Sequence, residues 1–565
     1  MDIAEKIQRT IEGGLSELGI SADGIQLEHP ADIAHGDFAT NAAMIAAKGC
    51  GKNPRECAEQ LLQYIEQNKP EEVESVNIAG PGFINFYLSR EFFVGTVSHI
   101  LEKGDTWGRN ERLKGKKIMV EYTDPNPFKV FHIGHLMSNA IGESISRLIE
   151  FSGAEVKRAN YQGDIGPHVA RALWGLRNGK GNMNDTRGLG AAYAAGAQAY
   201  DAHKQEIDAI NKAVYEGTDA ELTRLYEQGR AVSLDYFEKL YVLLGTKFDY
   251  YFFESKTWRQ GRDIVEQHPE VFEKSDLPAS GAGQTGGAIV FKGEQFDKTL
   301  HTRVFVNSEG IPTYEAKDLG LAYVKKKTYP FDVSITITAN EIDTYFKVVL
   351  KALEQFDPEL AKKIRHVSHG FMKLPSGKMS SRTGDVVAAE DLINDVKKTV
   401  LAIESDREID DKEKTAEVIA IGALKYSILK QATGKDIIYD LKKSLSFEGD
   451  SGPYLQYAHT RAGSVLKKAN SRVNSRVNSR VSETTLLEKL LYRFPEVVVH
   501  AQDEYEPHYV TTYLTELASA FNSLYASEKF IGGSDEAYLL ALTQAFQITM
   551  QNGLYLLGIA APKKM

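Results

Sequence analysis

Two imidazoles three residues apart, His132 and His135 in "NPFKVFHIGHLMSNAIG", enclose an isoleucine and a glycine just ahead of a helical run. Histidines at i and i+3 on a first helical turn both point back over that turn, where free N–H groups and the positive end of the helix dipole favour an anion. Gly134 between them leaves out the side chain that would keep a flat base or a phosphate at a distance. The chemistry this suits is a nucleotide cradle. Two other readings share the pattern. A His-x-x-His pair can hold a metal, although no Cys or further His cluster lies near it in sequence, and two histidines buried in a core look the same from the tetrapeptide alone. A second group lies far downstream. In "LPSGKMSSRTGDVV", Lys378 precedes Ser380, Ser381 and Arg382, a basic loop able to close on a triphosphate and stabilise charge on a departing pyrophosphate.

These groups need a scaffold that brings 132 and 378 to one place. From about residue 115 the pattern runs strand, loop, helix, strand: "KKIMVEYT", the histidine motif, "IGESISRLIEFSG", then "EVKRANY". Ile141, Ile145 and Leu148 share one helix face and Gly153 is placed to end it. This is a βαβ unit of a parallel sheet, with the histidines at the strand-to-helix turn, on the sheet edge where ligands bind. A helical insertion is expected over about 175–260. Strand signals return at "GAIVF", "TRVFVNS" and "FDVSITITA", interleaved with the helices "YEAKDLGLAYVKKK" and "DTYFKVVLKALEQF", so the sheet is expected to resume there.

The predicted architecture is multidomain: an N-terminal α+β domain over 1–110, a Rossmann-like α/β catalytic domain with a parallel sheet over 111–392, and an all-α helical bundle over 393–565. A chain of 565 residues exceeds what one hydrophobic core serves. In the first domain, Asn53, Pro54 and Glu56 of "NPRECAEQLLQYIEQ" form a capping-box helix start, and "VNIAGPGFINFYL" reads as a strand pair or a strand kinked at Gly-Pro-Gly. Hydrophobic residues at 42% and charged residues at 25% exclude disordered and fibrous classes. The net charge of -10 argues against a strongly basic nucleic-acid coat but leaves room for a local basic groove. Cys50 and Cys57, read as two thiols short of a zinc ligand set, fit a reducing compartment. With no apolar run long enough for a bilayer and no signal-like N-terminus, a cytoplasmic protein without membrane partners is expected. The tetrapeptide repeat "NSRVNSRVNSRV" over 470–481 would align Arg472, Arg476 and Arg480 on one helix face, able to grip phosphates, or is a solvated extension.

Together these motifs resemble the class I aminoacyl-tRNA synthetases, with "HIGH" and a downstream "KMSSR". Within them "HGDFATNAAM", "IAGPGFINFYL", "VEYTDPNPFKVFHIGH", "PTYEAKDLG", "FEGDSGPYLQYAHTRAGSVLKKA" and "NGLYLLGIAAPKKM" are similar to the arginyl-tRNA synthetases, over nearly the whole chain. The resemblance implies a Rossmann catalytic domain that activates L-arginine with ATP, usually with tRNA present, and passes it to the terminal ribose of tRNA(Arg). His132 and His135 would contact ATP, Lys378 would stabilise the transition state, and Lys129 matches a lysine on which members lacking the second motif rely. Glu121, Asn126, Tyr314 and Asp318 match arginine-binding positions. Asp318 suits a bidentate pair with the guanidinium, and Glu121 and Asn126 suit the ammonium end. Where the family often carries Gln after the strand "SITITA", this chain has Glu341 and Ile342. Mg2+ is expected with ATP, bound through phosphates and water, with no metal held by the protein itself, and a monomer is expected. A non-catalytic tRNA-binding relative or a small-molecule nucleotidyltransferase are the competing classes. The first would have no need of all four of Lys129, His132, His135 and Lys378, and the second no need of the flanking domains.

Overall fold

The computed structural model describes residues 3–275, 287–374, 377–378, 387–403, 411–469 and 483–565. The chain forms two compact units, one of residues 1–107, 461–494 and 519–549, the other of residues 108–460, 495–518 and 550–565.

The larger unit is built on a five-stranded sheet in the order Ile364–His369, Val333–Ala339, Lys117–Glu121, Glu155–Gln162, Tyr250–Phe253, every neighbouring pair parallel. Strand order reverses between Lys117–Glu121 and Val333–Ala339, and a crevice for ligands opens outside the carboxyl ends at such a reversal. Both outer strands are ones the sequence did not announce. Tyr250–Phe253 is four aromatic residues without alternation, lying within the segment read as insertion, and Ile364–His369 carries too few apolar residues to signal a strand. The sheet does not resume at "GAIVF" and "TRVFVNS". Ala288–Lys292 and Thr302–Val306 pair antiparallel with each other, and with Glu273–Ser275 they make a separate small sheet. Period-two alternation marks a strand but not its partner, and only chain connectivity decides which sheet it joins.

The helix Ile133–Phe151 begins at His132 and stops at Ser152, followed by Gly153 at φ 93°. Sixteen of its nineteen residues are buried, so it is a core helix rather than one with a single apolar face. Its polar residues are satisfied inside: Ser138 donates to the Ile337 carbonyl (3.0 Å) and Ser144 to that of Leu556 (2.8 Å). Glu143 accepts from Arg147 (2.7 Å), Arg158 (3.1 Å) and the Tyr122 hydroxyl (2.6 Å). Burial opposes its ionisation, but the two guanidinium groups and the tyrosine outweigh it and hold the carboxyl down to about 2. The helices Pro167–Arg177, Thr186–Ala199, Lys204–Glu216 and Ala220–Leu244 follow the second strand and end before Tyr250.

The smaller unit carries a four-stranded antiparallel sheet in the order Leu27–Glu28, Phe38–Thr40, Phe83–Leu88, Val73–Ala79, with Gly80-Pro81-Gly82 turning the last two into a hairpin. The helix Pro54–Asn68 starts on the predicted capping box, Asn53 accepting from Glu56 N–H and Glu56 accepting from Asn53 N–H. Cys50 and Cys57, read above as thiols, are joined in a disulfide. One helix ends at Cys50 and the next begins at Pro54, so the tight corner brings both side chains together. The Asn-Ser-Arg-Val repeat lies outside the described residues. Among the described residues no helix is long and apolar enough to cross a membrane.

Candidate active site

The turn joining strand Lys117–Glu121 to the histidine helix holds three non-glycine residues in the left-handed region: Thr123 (φ 79°), Asp124 (φ 44°) and Phe128 (φ 67°). Such conformations persist only where surrounding contacts over-determine them. Here they do. Thr123 N–H donates to Ser138 Oγ (2.9 Å), Asp124 accepts from Tyr161 N–H (2.7 Å), and Phe128 N–H donates to Ser233 Oγ (3.0 Å). The Phe128 ring lies flush against Gly229 of the helix Ala220–Leu244, where an added Cβ would stand 2.3 Å from it. The inserted helices are thereby seated on the signature turn.

His132 caps the helix and folds back on it. Its Nδ1 accepts Gly134 N–H (3.1 Å), and its own N–H donates to His135 Nδ1 (3.1 Å). The rings stack with centroids 3.7 Å apart and planes 19° from parallel. Because each Nδ1 is an acceptor, each ring proton must sit on Nε2, and both rings present an N–H. Burial, with Lys129 as a further cation, lowers His132 to about 4; burial, His132 and Lys129 lower His135 well below its ordinary value. Both rings are therefore neutral donors near pH 7. Gly134 has a different role from the one read in its sequence position. A Cβ there would lie 2.9 Å from His132 Cε1 and 3.0 Å from Nδ1, so the missing side chain makes room for the neighbouring imidazole.

The downstream loop returns to this cap. His132 and Ala388 form a backbone bridge, flanked by Ile133 N–H to the Val387 carbonyl (3.3 Å) and Ala389 N–H to the Phe131 carbonyl (2.9 Å). Lys378 lies on Gly377–Lys378, paired antiparallel with Met372–Leu374; Ser380, Ser381 and Arg382 fall outside the described residues. Lys129 Nζ sits 5.0 Å from the Tyr193 ring of an inserted helix.

A second cluster spans the two strands that flank the reversal. Asp318 and Glu121 line one small cavity of about 40 Å³ with Lys325, Ser334 and Thr336. Glu121 pairs with Lys325 (3.1 Å). Asn126 is elsewhere: a Cβ on Gly163 would meet its Oδ1 at 2.1 Å and Glu254 Oε1 at 3.2 Å. Tyr314 is 52% exposed, its ring 5.1 Å from Lys317 Nζ, which pairs with Glu254 at 2.7 Å. Desolvation raises Asp318 to about 8; the hydroxyl of Tyr345 works against that, and Glu121, Glu254 and Glu315 add to it. Glu341 is exposed and Ile342 half-buried on the short turn Asn340–Ile342, ahead of the helix that carries Tyr345. Sequence reading missed Tyr345, Lys325, Lys317, Glu254 and His168, the last bonded through Nε2 to the Gly163 carbonyl (2.7 Å). The only sequence signal for them was a charged or polar residue inside an otherwise apolar helix or beside a strand end.

A reversed parallel sheet, a stacked histidine cap at its switch point and residues 387–389 hydrogen-bonded to that cap fit a class I aminoacyl-tRNA synthetase catalytic domain. Residues 96–441 match the family described as "tRNA synthetases class I (R), catalytic domain", residues 455–565 the "DALR anticodon binding domain", and residues 2–88 the "Arginyl tRNA synthetase N terminal domain". The chain is 32% identical to the arginine–tRNA ligase of Clostridium acetobutylicum over 579 residues, covering 100% of this chain and 99% of that one. It is 31% identical to that of Treponema denticola, covering 96% and 95%. Its fold is similar to the arginyl-tRNA synthetase of Thermus thermophilus, with a TM-score of 0.81 at 25% identity over the full length of both. The chain belongs to the arginyl-tRNA synthetase family.

Proposed function

We propose the following division of labour for the arginine–tRNA ligase activity that family membership gives this chain. ATP lies across the histidine cap, with the Nε2–H groups of His132 and His135 donating to its oxygens and the Gly134 turn offering the helix N-terminus. Lys378 and Lys129 stabilise the charge that develops on pyrophosphate as the arginine carboxylate attacks the α-phosphorus. Mg2+ comes with ATP, held by phosphates and water. Asp318 receives the guanidinium, with Glu121 beside it. Asn126 takes the ammonium end, and Tyr314 closes over the side chain. The turn at Glu341 and Ile342 edges the same pocket. The 2′-hydroxyl of the terminal adenosine of tRNA(Arg) then attacks the activated carbonyl. The observation that supports this reading is the backbone bridge between His132 and Ala388, a residue ten positions beyond Lys378. We assign tRNA contacts to segments 1–110 and 393–565 and catalysis to a domain of 111–392, in a cytoplasmic monomer.

Pyrophosphate exchange assayed with each of the twenty amino acids, with and without total tRNA, tests the reading. Arginine alone should support exchange, and only with tRNA present; exchange driven by another amino acid would refute it. Gly134→Ala forces the His132 ring out of its stack, and a misplacement of this size costs roughly ten- to a hundredfold in kcat/KM for ATP. Unchanged ATP kinetics would show that the stack is dispensable. For Asp318, held up to about 8 by burial, the sign is definite. The carboxyl carries a proton below that pH and must release it to meet a guanidinium. Arginine binding therefore weakens as pH falls below 8, by up to about tenfold per unit. Titration calorimetry at pH 7 in two buffers of different ionisation enthalpy should give different heats, and equal heats would contradict the proton release.

A further inference from the structure

Three glutamates lie around Asp318, and each has its own cation: Glu121 pairs with Lys325 (3.1 Å), Glu254 with Lys317 (2.7 Å), and Glu315 with Arg303 (3.0 Å), while Asp124, a further carboxylate nearby, accepts from Tyr161 N–H (2.7 Å). Among the described residues Asp318 forms no such ion pair. Its partner is a neutral donor, the hydroxyl of Tyr345, 2.5 Å from Oδ2. Tyr345 comes from the helix Asp343–Phe356, Asp318 from the helix Tyr314–Thr328. The tyrosine is itself held. Its ring meets Phe346 edge-on at 5.5 Å, and the Arg303 guanidinium carbon lies 5.6 Å from its centroid. Arg303 is anchored in turn by Glu315, one turn before Asp318 on the same helix.

We propose that Tyr345 is a positioning residue that makes the pocket selective for a planar guanidinium over a point-charge ammonium. The terminal torsion of an aspartate is broad, so a free carboxylate turns to meet either cation. A hydroxyl fixed on one lone pair of Oδ2 sets the carboxylate plane. The remaining lone pairs of Oδ1 and Oδ2 then face the cleft in one orientation, which matches the two parallel N–H groups of a guanidinium and gives an ammonium no comparable gain. A lysine in place of Tyr345 would orient the carboxylate equally well but cancel the charge the substrate needs. A neutral donor does the first without the second, which is why this one carboxylate differs from its three neighbours.

The proposal rests on Asp318 being the guanidinium acceptor, and the test separates the two. In full-length Tyr345→Phe, which keeps the ring and its packing, the KM for arginine in aminoacylation should rise roughly ten- to a hundredfold, the loss expected for a hydrogen bond to a charged group. The KM for ATP and kcat should stay close to the parent values, and lysine should gain as a competitor relative to arginine. An unchanged arginine KM, an equal rise in both KM values, or unaltered discrimination against lysine would overturn the role of Tyr345. Asp318→Ala is measured alongside. If it raises the arginine KM while Tyr345→Phe does not, the tyrosine alone is misassigned; if it leaves the arginine KM unchanged, the reading of Asp318 itself falls.

Discussion

Replacing His135 by alanine lowers arginine-dependent pyrophosphate exchange, measured with tRNA, by roughly a hundred- to a thousandfold, the loss seen when one preorganised donor to a developing negative charge is removed. The effect is large for two reasons. The ring presents its own Nε2–H, and its Nδ1 accepts the His132 N–H, so the variant also frees the neighbouring cap. Thermal unfolding of the variant should stay near that of the parent, because the core face of the helix, from Leu136 to Phe151, is untouched. Exchange at the parental rate would remove the histidines from the mechanism. The pH dependence supplies an independent check. Burial lowers His132 to about 4 and His135 well below its ordinary value, so neither ring takes up a proton near the ordinary histidine range. No loss of activity with a midpoint near the ordinary histidine value should arise from them.

Asp318→Ala is expected to raise the arginine KM by several hundredfold, about 3–4 kcal/mol, as truncating one side of a desolvated charge pair does. The KM for ATP should change little, since Asp318 lines a cavity with Glu121 and Lys325 to which neither histidine of the cap contributes. Equal effects on both substrates would contradict its role. The removal is harsh because the three neighbouring glutamates are already committed. Glu121, Glu254 and Glu315 are each answered by Lys325, Lys317 and Arg303, and freeing any of them leaves a buried cation without its partner.

Local chemistry wrote part of this protein directly. Asn53, Pro54 and Glu56 form the predicted helix start because a capping box needs only three neighbouring residues. Gly153 follows the end of the histidine helix, and the βαβ unit around it is legible, because its helix and strand periods are set within a few turns. The signature residues His132, His135 and Lys378 were likewise marked by type and spacing. What failed was pairing at a distance. Nothing in "GAIVF" or "TRVFVNS" says that these strands leave the parallel sheet, and nothing in "YYFF" says that it joins it.

Residue types, spacing and local periods thus pointed to a nucleotide cradle and to the helix that carries it, while the residues proposed to meet a guanidinium came from the resemblance to a known family. The tertiary structure decided what those groups become. It turned Gly134 from an opening for substrate into space for a stacked ring, set both histidine tautomers, and tied the stem of the lysine loop to the cap through Ala388. It also gave Asp318 a tyrosine hydroxyl where Glu121, Glu254 and Glu315 each received a cation. The reason is physical. Protonation, tautomer and ionic pairing depend on burial and on neighbours within a few ångströms, and those neighbours come from strands and helices far apart in the chain.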